Sequence, residues 1–171
     1  TAHVIEAAAT SEIGGAINYS VSFDFDERGR LVRSVDRAGA VETRRYVLRP
    51  DGSEEVIIER MIRVVEDGGN PMTYRVRERT LTDREGKILE QEDPDGWITR
   101  YTYDLDGDII RLEDGLGRVT TWEYTKNRFK NIIREVQTTT FTDDFGNQIR
   151  AVTSRERDSF GHLTAEIDPD G

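Results

Sequence analysis

The sequence predicts an all-β chain: repeated antiparallel β-hairpins forming a twisted, curved single sheet. Three observations carry that reading: nine copies of Asp-x-x-Gly, short alternating segments between them, and an apolar content too lean for a thick closed core. The motif aspartates are Asp26, Asp36, Asp83, Asp93, Asp104, Asp114, Asp143, Asp158 and Asp168. Their glycines are Gly29, Gly39, Gly86, Gly96, Gly107, Gly117, Gly146, Gly161 and Gly171. Chance alone would give roughly one or two such matches, so the spacing is a repeat signal.

The motif has a physical reading as a tight turn. Aspartate at the first position of a type I turn accepts backbone N–H bonds from two residues on, and glycine supplies the left-handed conformation that ends the turn. A type I turn followed by a left-handed glycine is the three-residue hairpin with a G1 bulge. Proline presets φ at the second turn position in Asp93-Pro94-Asp95-Gly96 and Asp168-Pro169-Asp170-Gly171. The glycines pair at intervals of ten, as in Gly107 to Gly117. That interval leaves strands of roughly six residues, the ordinary strand length.

Along the chain, residues 1–16 read as a boundary extension, with Val4 to Thr10 the best helical candidate and too short to stand alone. Residues 17–52 form the first repeat unit, where Ile17, Tyr19, Val21, Phe23 and Phe25 alternate with period two. Residues 53–79 read as a longer irregular hairpin, with strands Val56 to Glu66 and Met72 to Leu81 around Asp67-Gly68-Gly69-Asn70-Pro71. The motif is most regular over 80–124. A second long hairpin spans 125–157, with Ile132 to Phe141 and Gln148 to Arg157 flanking Asp143-Asp144-Phe145-Gly146. A truncated repeat closes 158–171, so the sequence reads as a single repeat segment cut from a longer array.

Composition narrows function. With 34 acidic and 24 basic residues the net charge is −10, which opposes a phosphate backbone and predicts no nucleic-acid partner. Lysine accounts for only three of the basic residues, so nearly every positive charge is a bidentate-capable guanidinium. No apolar run is long enough to span a bilayer as a helix. The absence of cysteine removes disulfides, zinc ribbons and thiol catalysis.

Candidate chemistry is weighed against turn chemistry. Asp104, Asp106 and Asp108 alternate as in a calcium loop, but glycine stands at position four, not six, and no glutamate stands at twelve. No metal or cofactor is expected. Paired carboxylates such as Asp93 and Asp95 repeat with the motif, whereas a catalytic pair is singular. His162 falls where the repeat usually has arginine, and neither it nor His3 has a nucleophile framework. Catalysis is therefore not expected. Trp97, Tyr101, Tyr103, Trp122 and Tyr124 sit at even offsets within their strands, so each strand presents them on one face. They are read first as a packing ladder across neighbouring strands, and second as glycan-contact residues of an adhesion module. Arginine and acidic residues on the other face are expected to pair across strands.

Tyr101-Thr102-Tyr103-Asp104-Leu105-Asp106-Gly107-Asp108-Ile109-Ile110, followed by Asp114-Gly115-Leu116-Gly117, closely resembles the tyrosine–aspartate (YD) repeat of the rearrangement-hotspot (RHS) family. Phe23-Asp24-Phe25-Asp26-Glu27-Arg28-Gly29-Arg30-Leu31 is similar, with phenylalanine at both tyrosine positions. Matches cover 23–52, 80–124 and 156–171. The resemblance implies a β-sheet ribbon spiralling into a hollow shell of a secreted or cell-surface protein, bacterial in the toxin branches of the family. There the shell encloses a toxic C-terminal domain, while related shells of animal teneurins serve adhesion. The implied role is structural, with the rest of the array and an enclosed domain as partners, and open sheet edges predict self-association. Gly107→Val is expected to lower the melting temperature by the equivalent of about 1–2 kcal/mol, because a β-branched residue resists the left-handed conformation. Thermal unfolding followed by circular dichroism measures it.

Overall fold

A computed structural model describes residues 2–10, 16–64 and 72–168. The chain divides into two compact units, Thr1–Gly96 and Trp97–Gly171. In the first, β1 (Ala2–Thr10), β2 (Ala16–Phe25), β3 (Leu31–Val35), β4 (Val41–Leu48), β5 (Glu54–Val64), β6 (Met72–Thr82) and β7 (Ile88–Glu92) follow one another across an antiparallel meander. In the second, β8 (Ile98–Tyr103), β9 (Ile109–Glu113), β10 (Val119–Lys126), β11 (Ile132–Thr142), β12 (Gln148–Arg157) and β13 (Leu163–Ile167) do the same. The all-β prediction holds, and no helix occurs among the described residues.

The helical candidate Val4 to Thr10 is instead part of β1, paired from Ala2↔Asp24 to Thr10↔Ala16. A run that short cannot recover the cost of nucleating a helix, whereas the edge of β2 supplies a ready ladder. The predicted long hairpins appear as β5–β6 and β11–β12. The stretch from Asp67 to Pro71 and the end of the predicted strand at Glu66 lie outside the described residues.

Turn geometry follows the predicted chemistry closely. In eight of the nine motif copies the glycine N–H donates to the aspartate carbonyl at 2.9–3.1 Å. Those eight glycines have φ between +76° and +94°. In seven turns the aspartate Oδ1 accepts N–H bonds from residues two and four positions on, as in Asp104 with Asp106 at 2.9 Å and Asp108 at 2.9 Å. Ladder register slips beside these turns, for example between Asp24 and Phe25 and between Thr102 and Tyr103, as a G1 bulge requires. The last copy, Asp168 to Gly171, runs past the described residues.

Two further turns share this hydrogen-bond pattern without the motif. Arg49 N–H donates to the Ser53 carbonyl at 2.8 Å, and Gly52 N–H to the Arg49 carbonyl at 3.0 Å. There Asp51, two residues later than usual, accepts from the Ser53 N–H at 2.9 Å and hydroxyl at 2.6 Å. In the other, Asn127 replaces aspartate, accepting from Phe129 N–H at 2.9 Å and Asn131 N–H at 3.1 Å. Lys130 stands in its glycine position at φ +65°, alone among described non-glycine residues in having positive φ.

These two turns correspond through a longer repeat that the spacing of ten conceals. Strands β3, β4 and β5 recur as β9, β10 and β11 at an offset of 78 residues, end for end. Turn Asp83–Gly86 recurs as Asp158–Gly161 at an offset of 75. Residues kept at the longer offset include Arg33 and Arg111, Thr43 and Thr121, and Tyr46 and Tyr124.

Each unit is thin. Among residues 21–62, 64 and 72–168 only Ile57 and Ser53 are buried, each at 4% exposure. Stability therefore rests on the backbone ladder, the turns and side chains packed along the faces, not on an enclosed core. Lys130→Gly is expected to raise the melting temperature by the equivalent of about 1 kcal/mol, because glycine adopts positive φ without a Cβ clash and this outweighs loss of the surface ion pair that the exposed lysine makes with Asp106. A parallel thermal unfolding of the two proteins checks it.

Candidate functional site

The register of the second unit decides what the aromatic residues can do together. Tyr101 pairs with Leu112 across β8–β9, and Leu112 with Thr120 across β9–β10. Tyr101, Leu112, Thr120, Trp122 and Tyr124 therefore share one face. β9 stands between the aromatic strands and contributes Leu112, so Tyr101 and Tyr103 of β8 are not ladder neighbours of Trp122 and Tyr124 of β10. Opposite Trp122 stands Gln137, opposite Tyr124 stands Glu135, and opposite Tyr103 stands Ile109. Each of the four aromatic residues on β8 and β10 thus faces an aliphatic or polar partner.

Trp97 precedes β8 and is half-exposed. It lies against the backbone of the Asp114–Gly117 turn, where Gly115 has no room for a side chain. A methyl group there would sit 2.6 Å from the Trp97 Cβ and 2.9 Å from its ring Cε3. The glycine is required by this close approach rather than by its φ.

Tyr124 is anchored through its hydroxyl, which donates to the Ile109 carbonyl at 2.8 Å. Burial raises its pKa first, helped by the nearby carboxylates Glu135, Asp108 and Asp104. In the first unit Tyr46 makes the same bond to the Leu31 carbonyl at 3.0 Å. Both bonds reach from one strand to the first residue of the preceding one, so the tyrosine ties two strands together at a bulge. The Arg30 guanidinium lies 4.0 Å over the Tyr46 ring while bonding Asp26 at 2.8 Å and Glu54 at 2.5 Å.

Charge pairing across strands was expected on one face and occurs on both faces of the first unit. On the Tyr46 face, Glu42 takes Arg44 at 2.7 Å and Arg60 at 2.6 Å, and Arg60 also reaches Glu78 at 2.7 Å. The Arg60 hydrogen bond holds the Glu42 carboxyl below its ordinary value. On the opposite face, Arg79 bonds Glu55 at 3.1 Å, Glu92 at 3.0 Å and Glu90, while Arg77 reaches Glu92 at 2.6 Å. Burial opposes the charge of Arg79, but its bonds to Glu92, Glu90 and Glu55 outweigh that and raise its pKa.

In the second unit the aspartates read as a possible calcium loop hold an ammonium group. Lys126 Nζ lies 3.0 Å from Asp104, 2.8 Å from Asp106 and 2.6 Å from Asp108, and Lys130 adds a contact to Asp106 at 2.5 Å. Hydrogen bonds from Lys126 and then Lys130 pull the Asp106 pKa down to about 2. Lys126 is raised above its ordinary value by Asp106, Asp108 and Asp104 in turn. Two of the three lysines in the sequence thus serve one turn. No cluster of carboxylate and histidine groups suited to a metal occurs among the described residues. The remaining candidates serve turns as well: Asp95 N–H donates to Asp93 Oδ1 at 3.0 Å, and exposed His162 Nδ1 stands 3.0 Å from Asp158 Oδ2, where Arg30 and Arg118 stand in their turns.

Sequence reasoning missed the tyrosine–carbonyl ties and the lysine clamp. The kept Tyr46 and Tyr124, and the concentration of a rare residue beside an acidic turn, were the available signals.

No family model matches the chain, and no curated protein matches it. Among solved structures, the crystal structure of TcdB2-TccC3-TEV is similar at 14% identity and a TM-score of 0.32, over 91% of this chain and 12% of that one. The Photorhabdus luminescens Tc holotoxin pore is similar at 13% identity and a TM-score of 0.23, over 90% of this chain and 13% of that one. The chain thus spans 12–13% of the length of the chains it resembles. No helix among the described residues is long and apolar enough to cross a membrane.

Gly115→Ala is expected to destabilise the second unit by about 1–3 kcal/mol through overpacking against Trp97. Trp97→Ala should remove most of that penalty, so the two substitutions will be non-additive in a chemical-denaturation cycle. Asp106 has a depressed pKa when folded, so its stabilising contribution is present above the ordinary value of 3.8 and lost as pH falls toward about 2. Lys126→Met, which leaves Asp104, Asp106 and Asp108 crowded together, should lower the melting temperature at neutral pH. The gap to the parent protein should narrow as those groups take up protons on acidification, which melting curves across pH will read directly.

Proposed function

We propose that the chain is a structural segment of a larger secreted or cell-surface repeat protein, forming part of a wall that encloses or presents another domain. The observation that carries this reading is one hairpin device repeated through two units, in which only two of residues 21–62, 64 and 72–168 are buried. A wall needs an unbroken ladder of strands and two faces that tolerate water; it needs neither a deep core nor a singular reactive site. Ion pairs on both faces of the first unit supply such tolerance. The motif resemblance to the YD repeat supports the same role and points to a bacterial source.

On this reading the chain catalyses nothing and needs no cofactor. Its mechanism is steric: hydrogen-bonded strands keep an enclosed domain away from protease, and the turn aspartates and glycines set how the strands follow one another. Limited proteolysis of the full-length parent protein with intact-mass detection tests this. A C-terminal fragment that survives inside a protease-resistant body is the expected result. Trimming of the parent into separate resistant modules with no protected fragment would overturn the enclosing role.

A further inference from the structure

Six aspartates are followed directly by glycine: Asp51, Asp67, Asp95, Asp106, Asp114 and Asp170. Such a pair can rearrange without an enzyme, because glycine puts no side chain in the way of its own backbone nitrogen. That nitrogen attacks the aspartate Cγ and a C–N bond forms. From the carboxylic acid, the hydroxyl leaves with the proton of the nitrogen as water. The cyclic succinimide then adds water at either carbonyl. Opening at the former side-chain carbonyl restores aspartate, whereas opening at the former main-chain carbonyl leaves isoaspartate, with the chain running through Cγ. The water released in the first step is balanced by the water added in the second, and no oxidant or cofactor enters.

Asp67 and Asp170 lie outside the described residues. The other four differ in how the carboxylate is held, since it must swing toward the following nitrogen for the ring to close. Asp51 Oδ1 accepts from the Ser53 N–H at 2.9 Å and hydroxyl at 2.6 Å. Asp106 is gripped by Lys126 at 2.8 Å and Lys130 at 2.5 Å. Asp114 accepts N–H bonds from Leu116 at 3.0 Å and Arg118 at 2.9 Å, and the Arg118 guanidinium at 2.6 Å. Asp95 differs from all three. Its N–H donates to Asp93 Oδ1 at 3.0 Å, but its own exposed carboxylate has no hydrogen bond or ion pair among the described residues.

Exposure alone does not single out Asp95, because Asp51 and Asp106 are exposed as well. Nor does the attacking nitrogen: the N–H groups of Gly52, Gly96 and Gly107 close the same turn bond at 3.0, 3.0 and 3.1 Å. The freedom of the carboxylate is what separates it. Restraint elsewhere also lowers the supply of the carboxylic acid from which water leaves. Ser53 holds the Asp51 carboxyl below its ordinary pKa, and Lys126 with Lys130 holds Asp106 at about 2. At Asp114 burial acts the other way but is outweighed by the bonds from Arg118.

We propose that Asp95 is a spontaneous modification site, isomerising to isoaspartate ahead of the other three described Asp-Gly pairs. The product lengthens the main chain by one methylene group inside the Asp93–Gly96 turn, enlarging the ring that the Gly96 N–H closes on the Asp93 carbonyl. It is also the substrate class of methyltransferases that carry a methyl group from S-adenosylmethionine to an isoaspartyl carboxylate.

The test ages the whole chain in heavy-oxygen water near neutral pH, then digests it with trypsin in ordinary water for mass spectrometry. Each succinimide that opens gains one heavy oxygen atom. The four pairs fall on separate tryptic peptides, 46–60, 88–100, 101–111 and 112–118. Within 88–100 the other aspartate, Asp93, precedes Pro94, whose nitrogen has no proton to give. Label in 88–100 should accumulate roughly tenfold faster than in each of the other three. Isoaspartyl methyltransferase should methylate the same peptide. Asp95→Glu, whose larger ring closes slowly, should remove the label with the thermal transition retained. Synthetic copies of the four peptides, aged alone, should label at similar rates, since no fold anchors their carboxylates. Absence of label at Asp95 in the folded chain, equal labelling of the four pairs there, or the same preference for Asp95 among the free peptides would each overturn the proposal.

Discussion

The rest of the structure depends on the turn in which one aspartate carboxylate gathers two backbone N–H groups and a glycine closes the reversal at positive φ. In most small proteins a buried core would select the register of each strand, because a slip of one residue would turn apolar side chains to water. Here only Ile57 and Ser53 are buried among residues 21–62, 64 and 72–168, so that selection is weak there. Register must be set locally, and the turn does so through a fixed hydrogen-bond ring such as Asp26 N–H to Arg30 carbonyl and Gly29 N–H to Asp26 carbonyl. Where the motif fails, its chemistry is rebuilt from other groups: Asp51 with Ser53 in one turn, Asn127 in another.

A sheet without a core has two solvated faces, which accounts for the composition. Exposed ion pairs taken singly contribute little, but Arg79 touches three glutamates on two neighbouring strands, and Glu42 is shared by Arg44 and Arg60. Sharing lowers the entropy lost per bond, since a side chain already held in place gives up no further freedom when it meets a second partner. The planar guanidinium suits this bridging, in keeping with the predominance of arginine over lysine. Lysine appears where a compact charge is wanted, as in the Lys126 ammonium set among three carboxylates.

Tyrosine has a mechanical role that its place in the motif does not reveal. Tyr46 and Tyr124 cross to the preceding strand and bond a carbonyl close to a bulge, where ladder bonds are disturbed. Trp97 works in the opposite sense: the turn accommodates it by giving up a side chain at Gly115. Tyr46, Tyr124 and Trp97 thus each join backbone segments that are separate in sequence.

The sequence by itself determined the strand class and the eight described turns at Asp-x-x-Gly, because those features depend on residues within four positions of one another, and it marked the arms of the two long hairpins by their threonine and β-branched content. It also placed Trp122 and Tyr124 on one strand face, since strand alternation is local. Tertiary structure alone decided that Val4 to Thr10 would be a strand, because an edge of β2 was there to receive it. It alone set aliphatic Leu112 between the aromatic strands, brought Lys126 to Asp104, and left β5 longer than β4. Each of these outcomes depends on which strand lies beside which, and side chains about twenty residues apart in sequence reach hydrogen-bonding distance only after the ladder has formed.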